Sequence, residues 1–198
     1  MFSSDARVAF RPEATYHTLL TETASSPWIA LRRPALVLLV IAVGVSITAV
    51  HQITISLLLT TAAAWGAVVV IQMAIGAAVI ASAPSRRVGF APALDLWFAG
   101  HLPYSLWVLA LPIVTVVPVG TPHELIGVSA AVPLVWTMFI VAAFCRAVLG
   151  LTAVEARWRT AMHLVLVLIV ISTVVIWAAG GPAALLSYFL RRLNGMWT

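Results

Sequence analysis

The stretch ITISLLLTTAAAWGAVVVIQMAIGAAVIASA, Ile53 to Ala83, decides how the rest of the chain is read. It holds no Asp, Glu, Lys or Arg. A hydrocarbon core of about 30 Å is crossed by about 20 apolar residues in a helix. This run exceeds that length, so it predicts a spanning helix that tilts or begins outside the hydrocarbon. Gln72 is its one strongly polar interior residue. Ala62, Gly66, Ala74, Ala78 and Ser82 recur at multiples of four, a strip of small side chains that admits a neighbouring backbone. Alanine-rich sequence also produces such strips by chance.

The same reading extends outward to Pro34–Val50, Leu102–Val117, Leu125–Leu149 and Ala161–Ala179, giving an all-α polytopic bundle of about five spans. The chain is 63% hydrophobic and 9% charged, with a mean hydropathy of +1.09, a composition at odds with a water-soluble domain of this size. Three regions follow: a cytoplasmic or interfacial head at 1–33, the bundle at 34–180, and an interfacial amphipathic tail at 181–198. In the head, Tyr16, Leu19 and Leu20 share one face of a short helix expected on the membrane surface. The first 33 residues show no secretory h-region, so the first span is expected to drive insertion. Phe90 to Gly100, with Asp95, Trp97 and Phe98, reads as a re-entrant or interfacial segment, and Pro112 predicts a kink in the third span. Gly180-Gly181-Pro182 stops the fifth, and Leu185, Leu186, Phe189, Leu190 and Leu193 share a face of the tail.

Orientation follows from the arginines, which supply all of the Lys+Arg count of 11. Arg7, Arg11, Arg32 and Arg33, then Arg86 and Arg87, then Arg146, Arg157 and Arg159 fall on one side if the N-terminus is cytoplasmic. Arg191 and Arg192 fall on the other, where the tail is expected to meet outer-leaflet headgroups. Arginines placed as singles and pairs beside apolar segments are orientation signals and lipid contacts, not a nucleic-acid groove. The expected location is a cytoplasmic (inner) membrane, and the expected partners are the bilayer and other membrane proteins or further copies of the chain.

Catalytic motifs are sought without success. A helical His-Glu-x-x-His and a Gly-x-Ser-x-Gly elbow are both missing, and Gly127-Val128-Ser129-Ala130 lacks the second glycine, so Ser129 reads as a packing residue. Cys145 stands alone among small and apolar neighbours, as a buried thiol would. The expectation is therefore a non-enzyme without metal or cofactor of its own. Of the five histidines, His101 and His163 read as interfacial histidines bonded to backbone or water; the alternative is that either one faces a haem, a chlorophyll-type pigment or a quinone held by a larger complex. Gln72, Asp95, Arg146 and Glu155 are the candidate intramembrane polar residues, because ionisable groups near hydrocarbon are costly. Arg146 and Glu155 are expected near one membrane face and able to pair, with Asp95 or Gln72 as further partners. The competing reading has Arg146 snorkelling to phosphates and Glu155 capping a helix turn. A transporter needs a polar path at the midplane, for which Gln72 is too little.

The order of motifs resembles the Yip domain family, five-span membrane proteins named for interaction with Ypt/Rab GTPases and also found in bacteria. The likeness is carried by Arg11-Pro12-Glu13-Ala14-x-Tyr16-x-x-Leu19-Leu20, by Leu31-Arg32-Arg33-Pro34, and by Trp136-Thr137-Met138-Phe139-Ile140. Arg146-Ala147-Val148-Leu149-Gly150-Leu151 and Ala156 continue it, so that it covers roughly residues 11 to 180. The resemblance implies a five-helix bundle with a cytoplasmic N-terminus and a role in membrane organisation or partner binding, and it brings no catalytic residues. The acidic motifs of the eukaryotic members are not evident in this head, and the all-arginine, alanine-rich composition points to the bacterial branch.

Overall fold

The computed structural model describes residues 2–22, 26–84, 86–116 and 128–178, together with Ser187. Among them every regular element is a helix: α1 (Phe2–Phe10), α2 (Pro12–Glu22), α3 (Ile29–Val50), α4 (Ile55–Ala81), α5 (Phe90–Ala99), α6 (Leu102–Val116), α7 (Ala131–Ala147) and α8 (Ala153–Ala178). The chain divides into two compact units, Met1–Thr160 and Ala161–Thr198, so that α8 starts in the first and continues through the second. The expected loop from Pro118 to Glu124 and the tail at 181–198 with Arg191 and Arg192 lie outside the described residues, Ser187 apart.

Two helices are long and apolar enough to cross a membrane, Ile29–Ile47 within α3 and Ile55–Ala81. Their start and turn chemistry is local. The Thr54 hydroxyl accepts from the Leu57 amide at 3.2 Å and so caps α4. His51 takes the left-handed conformation (φ 55) that closes α3, with its N–H on the Ile47 carbonyl. The short turn between them folds α3 and α4 antiparallel, and Ser46 meets Thr61 at 3.1 Å across the seam. At 17 residues, α7 is shorter than the span Leu125–Leu149 expected there.

The core of the first unit is α5, in which every residue from Pro92 to Ala99 is buried. Helices α3, α4 and α7 pack around it. Apart from Asp95 this ten-residue helix is apolar on all sides and has no face to give to solvent, which is why it sits inside. Trp97 meets Phe144 of α7 edge-on at 5.4 Å, and Phe144 in turn meets Tyr16 of α2 at 5.7 Å.

That last contact changes the reading of the head. The Tyr16 and Leu19 face of α2 is buried against α7 instead of lying on a surface. The Tyr16 hydroxyl donates to the Leu96 carbonyl at 3.4 Å, and the Trp136 indole donates to the Ala9 carbonyl at 2.8 Å. A second head helix, α1, packs on α2, α6 and α7. Residues 1–33 therefore belong to the same compact unit as the helices that follow, and α3 begins at Ile29, ahead of the expected Pro34.

The strip on α4 also lies differently. Ala74 and Ala78 are exposed, Ala62 and Gly66 are half-buried, and a methyl built on Gly66 meets nothing within 4 Å. Close approach occurs through another glycine of the same helix, Gly76, which lies against the Trp97 indole.

Candidate functional site

Asp95 sits mid-way along α5 with no exposure at all. A carboxylate there needs a cation, because an unpaired buried charge is among the costliest groups a fold can hold. Two adjacent residues of α3 supply it. Arg32 donates to Asp95 Oδ2 at 2.7 Å, and Arg33 donates to the same oxygen. The Arg33 side chain is 3% exposed and that of Arg32 46%, so one guanidinium is sealed in and the other reaches outward. Asp95 Oδ1 has no hydrogen-bond partner among the described residues. Of the two cations on this oxygen, the half-exposed Arg32 is the one that reaches the rim.

A second polar contact follows the α4–α5 seam. Gln72 lies one turn before Gly76, and His101 lies one turn after Trp97, so the pair that touches below the glycine is Gln72 Oε1 and His101 Nε2 at 3.4 Å. The buried His101 ring stacks on Phe98 at 4.8 Å, and its Nδ1 has no partner among the described residues. His163 is buried on the part of α8 that belongs to the second unit. Among the described residues no three of His, Cys, Asp and Glu gather into a metal-binding group. No protein-family model, curated protein or solved structure matches the chain.

The remaining candidates part company. Arg146 pairs with Glu13 of α2 at 3.2 Å, both about half exposed, and does not pair with Glu155. An exposed pair of this kind contributes about 0–1 kcal/mol, enough to orient α2 on α7 but not to hold it. Glu155 caps α8: its carboxylate accepts from the Thr152 amide at 2.9 Å and hydroxyl at 2.7 Å, and its own N–H returns to the Thr152 hydroxyl. This is a capping box, legible in the sequence as Thr152-x-x-Glu155. Cys145 is a buried thiol.

The Thr152 hydroxyl, and then its amide, hold the exposed Glu155 carboxyl below its ordinary value of 4.5. A group lowered in the fold stabilises above its unfolded value and loses that contribution as pH falls through the folded one. Amide-exchange protection in the first turn of α8 should therefore exceed that of a Thr152→Ala variant at neutral pH. The difference should shrink as pH falls from 4.5 through the lowered value, down to the share held by the Thr152 hydroxyl accepting from the Glu155 amide; a gap independent of pH would refute the carboxylate's part in the cap.

Three residues that the sequence did not mark as site candidates complete the site. Glu13 is the partner of Arg146, and Trp97 is the wedge between α4 and α7. Arg159 donates to the Ser82 carbonyl at 2.6 Å, to the Ser82 hydroxyl and to the Val79 carbonyl, closing the C-terminus of α4 where carbonyls lack helical partners. With the Arg87 amide on the Val148 carbonyl at 3.0 Å, these contacts draw Arg32, Arg33, Arg86, Arg87, Arg146, Arg157 and Arg159 to one end of the first unit.

Proposed function

We propose that the chain is a polytopic protein of the bacterial inner membrane that acts without catalysis, as a scaffold binding other membrane proteins or further copies of itself. Five spans, α3, α4, α6, α7 and α8 with their flanking residues, and a cytoplasmic N-terminus are part of this reading. So is membership of the Yip-like proteins that the sequence resembles. The observation that carries it is an inverted distribution of polarity. Leu39, Leu59, Val70, Leu106, Phe139 and Ile169 are exposed on five helices, whereas Asp95, Arg33, His101 and Thr137 are buried. In water, exposed apolar patches on this scale invite aggregation; in lipid they are the solvated surface. The arginines at one end of the first unit agree with the asymmetry expected of a cytoplasmic face. A scaffold reading is supported by how the polar side chains are spent: Asp95 on Arg32 and Arg33, Glu13 on Arg146, and Glu155 on its own helix start.

The test is gentle detergent extraction, cross-linking and mass spectrometry of the native chain. A discrete companion or a defined oligomer is expected, and a clean monomer recovered alone would overturn the scaffold. Retention in the membrane pellet after alkaline carbonate tests the bilayer reading separately. Visible absorption of the purified protein would instead mark a cofactor-bearing subunit held near His101 or His163.

A further inference from the structure

Of the arginines gathered at one end of the first unit, four are spent inside the fold: Arg32 and Arg33 on Asp95, Arg146 on Glu13, and Arg159 on the C-terminus of α4. Arg86, Arg87 and Arg157 are exposed, and none of them pairs with an acid among the described residues. We propose that these three form a surface that binds the headgroups of anionic phospholipids in the adjoining leaflet. The inference rests on the membrane reading given above and adds a lipid class to it.

Three observations choose that partner. The first is that the fold holds these arginines in place without using up their charge. The Arg87 amide on the Val148 carbonyl ties the turn before α5 to the end of α7, and the Arg86 guanidinium lies over the Phe90 ring at 5.9 Å. Arg157 gives its Nε to the Ala153 carbonyl at 3.2 Å, which leaves its terminal nitrogens for an acceptor outside the chain. Guanidinium groups bind phosphate through charge-assisted hydrogen bonds. The second is how the three come together. Arg159 on Ser82 fixes the start of α8 against the end of α4, so that Arg157 shares an end with Arg86 and Arg87, and Glu155, the acid nearest to it in sequence, is turned to Thr152. The third is the company they keep. Trp28 is 77% exposed at the start of α3, Phe90 40% at the start of α5, and Trp158 70% beside Arg157. Rings of this kind settle at the boundary between headgroups and acyl chains. A soluble polyanion would satisfy the arginines but offers no such boundary to Trp28 and Trp158.

The measurement is native mass spectrometry of the full chain released from mixed micelles of phosphatidylglycerol and phosphatidylcholine. The wild type should retain phosphatidylglycerol selectively, and less so as salt rises from about 0.1 to about 1 M, which shortens the screening length from about 10 to about 3 Å. A basic residue near an anionic surface is worth about fivefold in binding. Arg157→Gln should therefore weaken retention roughly fivefold, and the triple variant Arg86→Gln, Arg87→Gln, Arg157→Gln about a hundredfold, with circular dichroism and gel filtration showing that each is folded. Should the triple variant fail to fold, the single variant and the salt series still decide. Arg11→Gln removes the same charge beside Phe10, whose ring meets Trp136 away from that end of α7, and should leave retention unchanged. Equal loss in Arg11→Gln, or equal retention of the two lipids, would overturn the surface in favour of general charge. A triple variant that retains lipid like the wild type, or selectivity untouched by salt, would overturn it outright. Competition by inorganic phosphate as effective as that by phosphatidylglycerol would overturn the lipid assignment. Lost selectivity with the protein still in the carbonate pellet sinks this inference alone, whereas release by carbonate sinks the membrane reading as well.

Discussion

Replacing Asp95 with Asn should cost about 3–5 kcal/mol, because it removes one side of a buried ion pair, the carboxylate that Arg32 and Arg33 share. Arg33 is 3% exposed and cannot turn to solvent without pulling the start of α3 away from α5. For a chain of this size the loss corresponds to a fall in melting temperature of roughly 6–20 °C, read by light scattering and gel filtration in detergent. Arg32→Ala should behave otherwise. Its side chain is 46% exposed and Arg33 still neutralises the carboxylate, so the expected loss is about 1 kcal/mol or less. Exchanging Asp95 and Arg33 together for leucine should recover most of the loss, since a buried ion pair gains little over apolar side chains of similar volume. An Asp95→Asn protein that melts with the wild type would show that the cluster does not fasten α3 to α5.

That cluster shows where sequence reading stops. Asp95 stood out because an acid in an apolar run is expensive, but 11 arginines offered themselves as partners and nothing local ranks them. The right ones lie 62 and 63 residues away, on a helix whose arginines had read as an orientation signal. Short-range signals were legible: α4 at Ile55–Ala81 lies within the run Ile53 to Ala83, and Glu155 caps three residues after Thr152, one of the two roles expected of it. The stripe of Tyr16 and Leu19 was legible too, but an amphipathic face looks the same whether it meets lipid or protein. Its docking on α7 depends on Phe144, more than a hundred residues later. The small residues of α4 do not mark the close approach within this chain, for a related reason. Spacing in multiples of four picks out any alanine-rich face, and only the position of Trp97 selects Gly76.

Gly76 and Gly66, on one helix and alike in sequence context, should respond to alanine with opposite signs. In a helix interior alanine is favoured over glycine by about 1 kcal/mol, so Gly66→Ala, whose new methyl meets nothing within 4 Å, should raise stability by about that amount. At Gly76 the same methyl would stand 2.7 Å from Cδ1 and Nε1 of the Trp97 indole. That ring is 1% exposed and backed by Phe144, so it has no room to retreat. Overpacking of a well-filled core costs about 1–3 kcal/mol, which exceeds the gain in propensity. Gly76→Leu should cost more than Gly76→Ala, and Trp97→Ala about 3–5 kcal/mol through the cavity it leaves. The double variant Gly76→Ala with Trp97→Leu should cost less than the sum of its parts by about 0.5–3 kcal/mol, the signature of residues in contact. If the two alanine variants shift the melting temperature in the same direction, or if the double variant is additive, the α4–α5 seam is not where the fold is tightest. The burial of His101 against Gln72 one turn along would then need another cause.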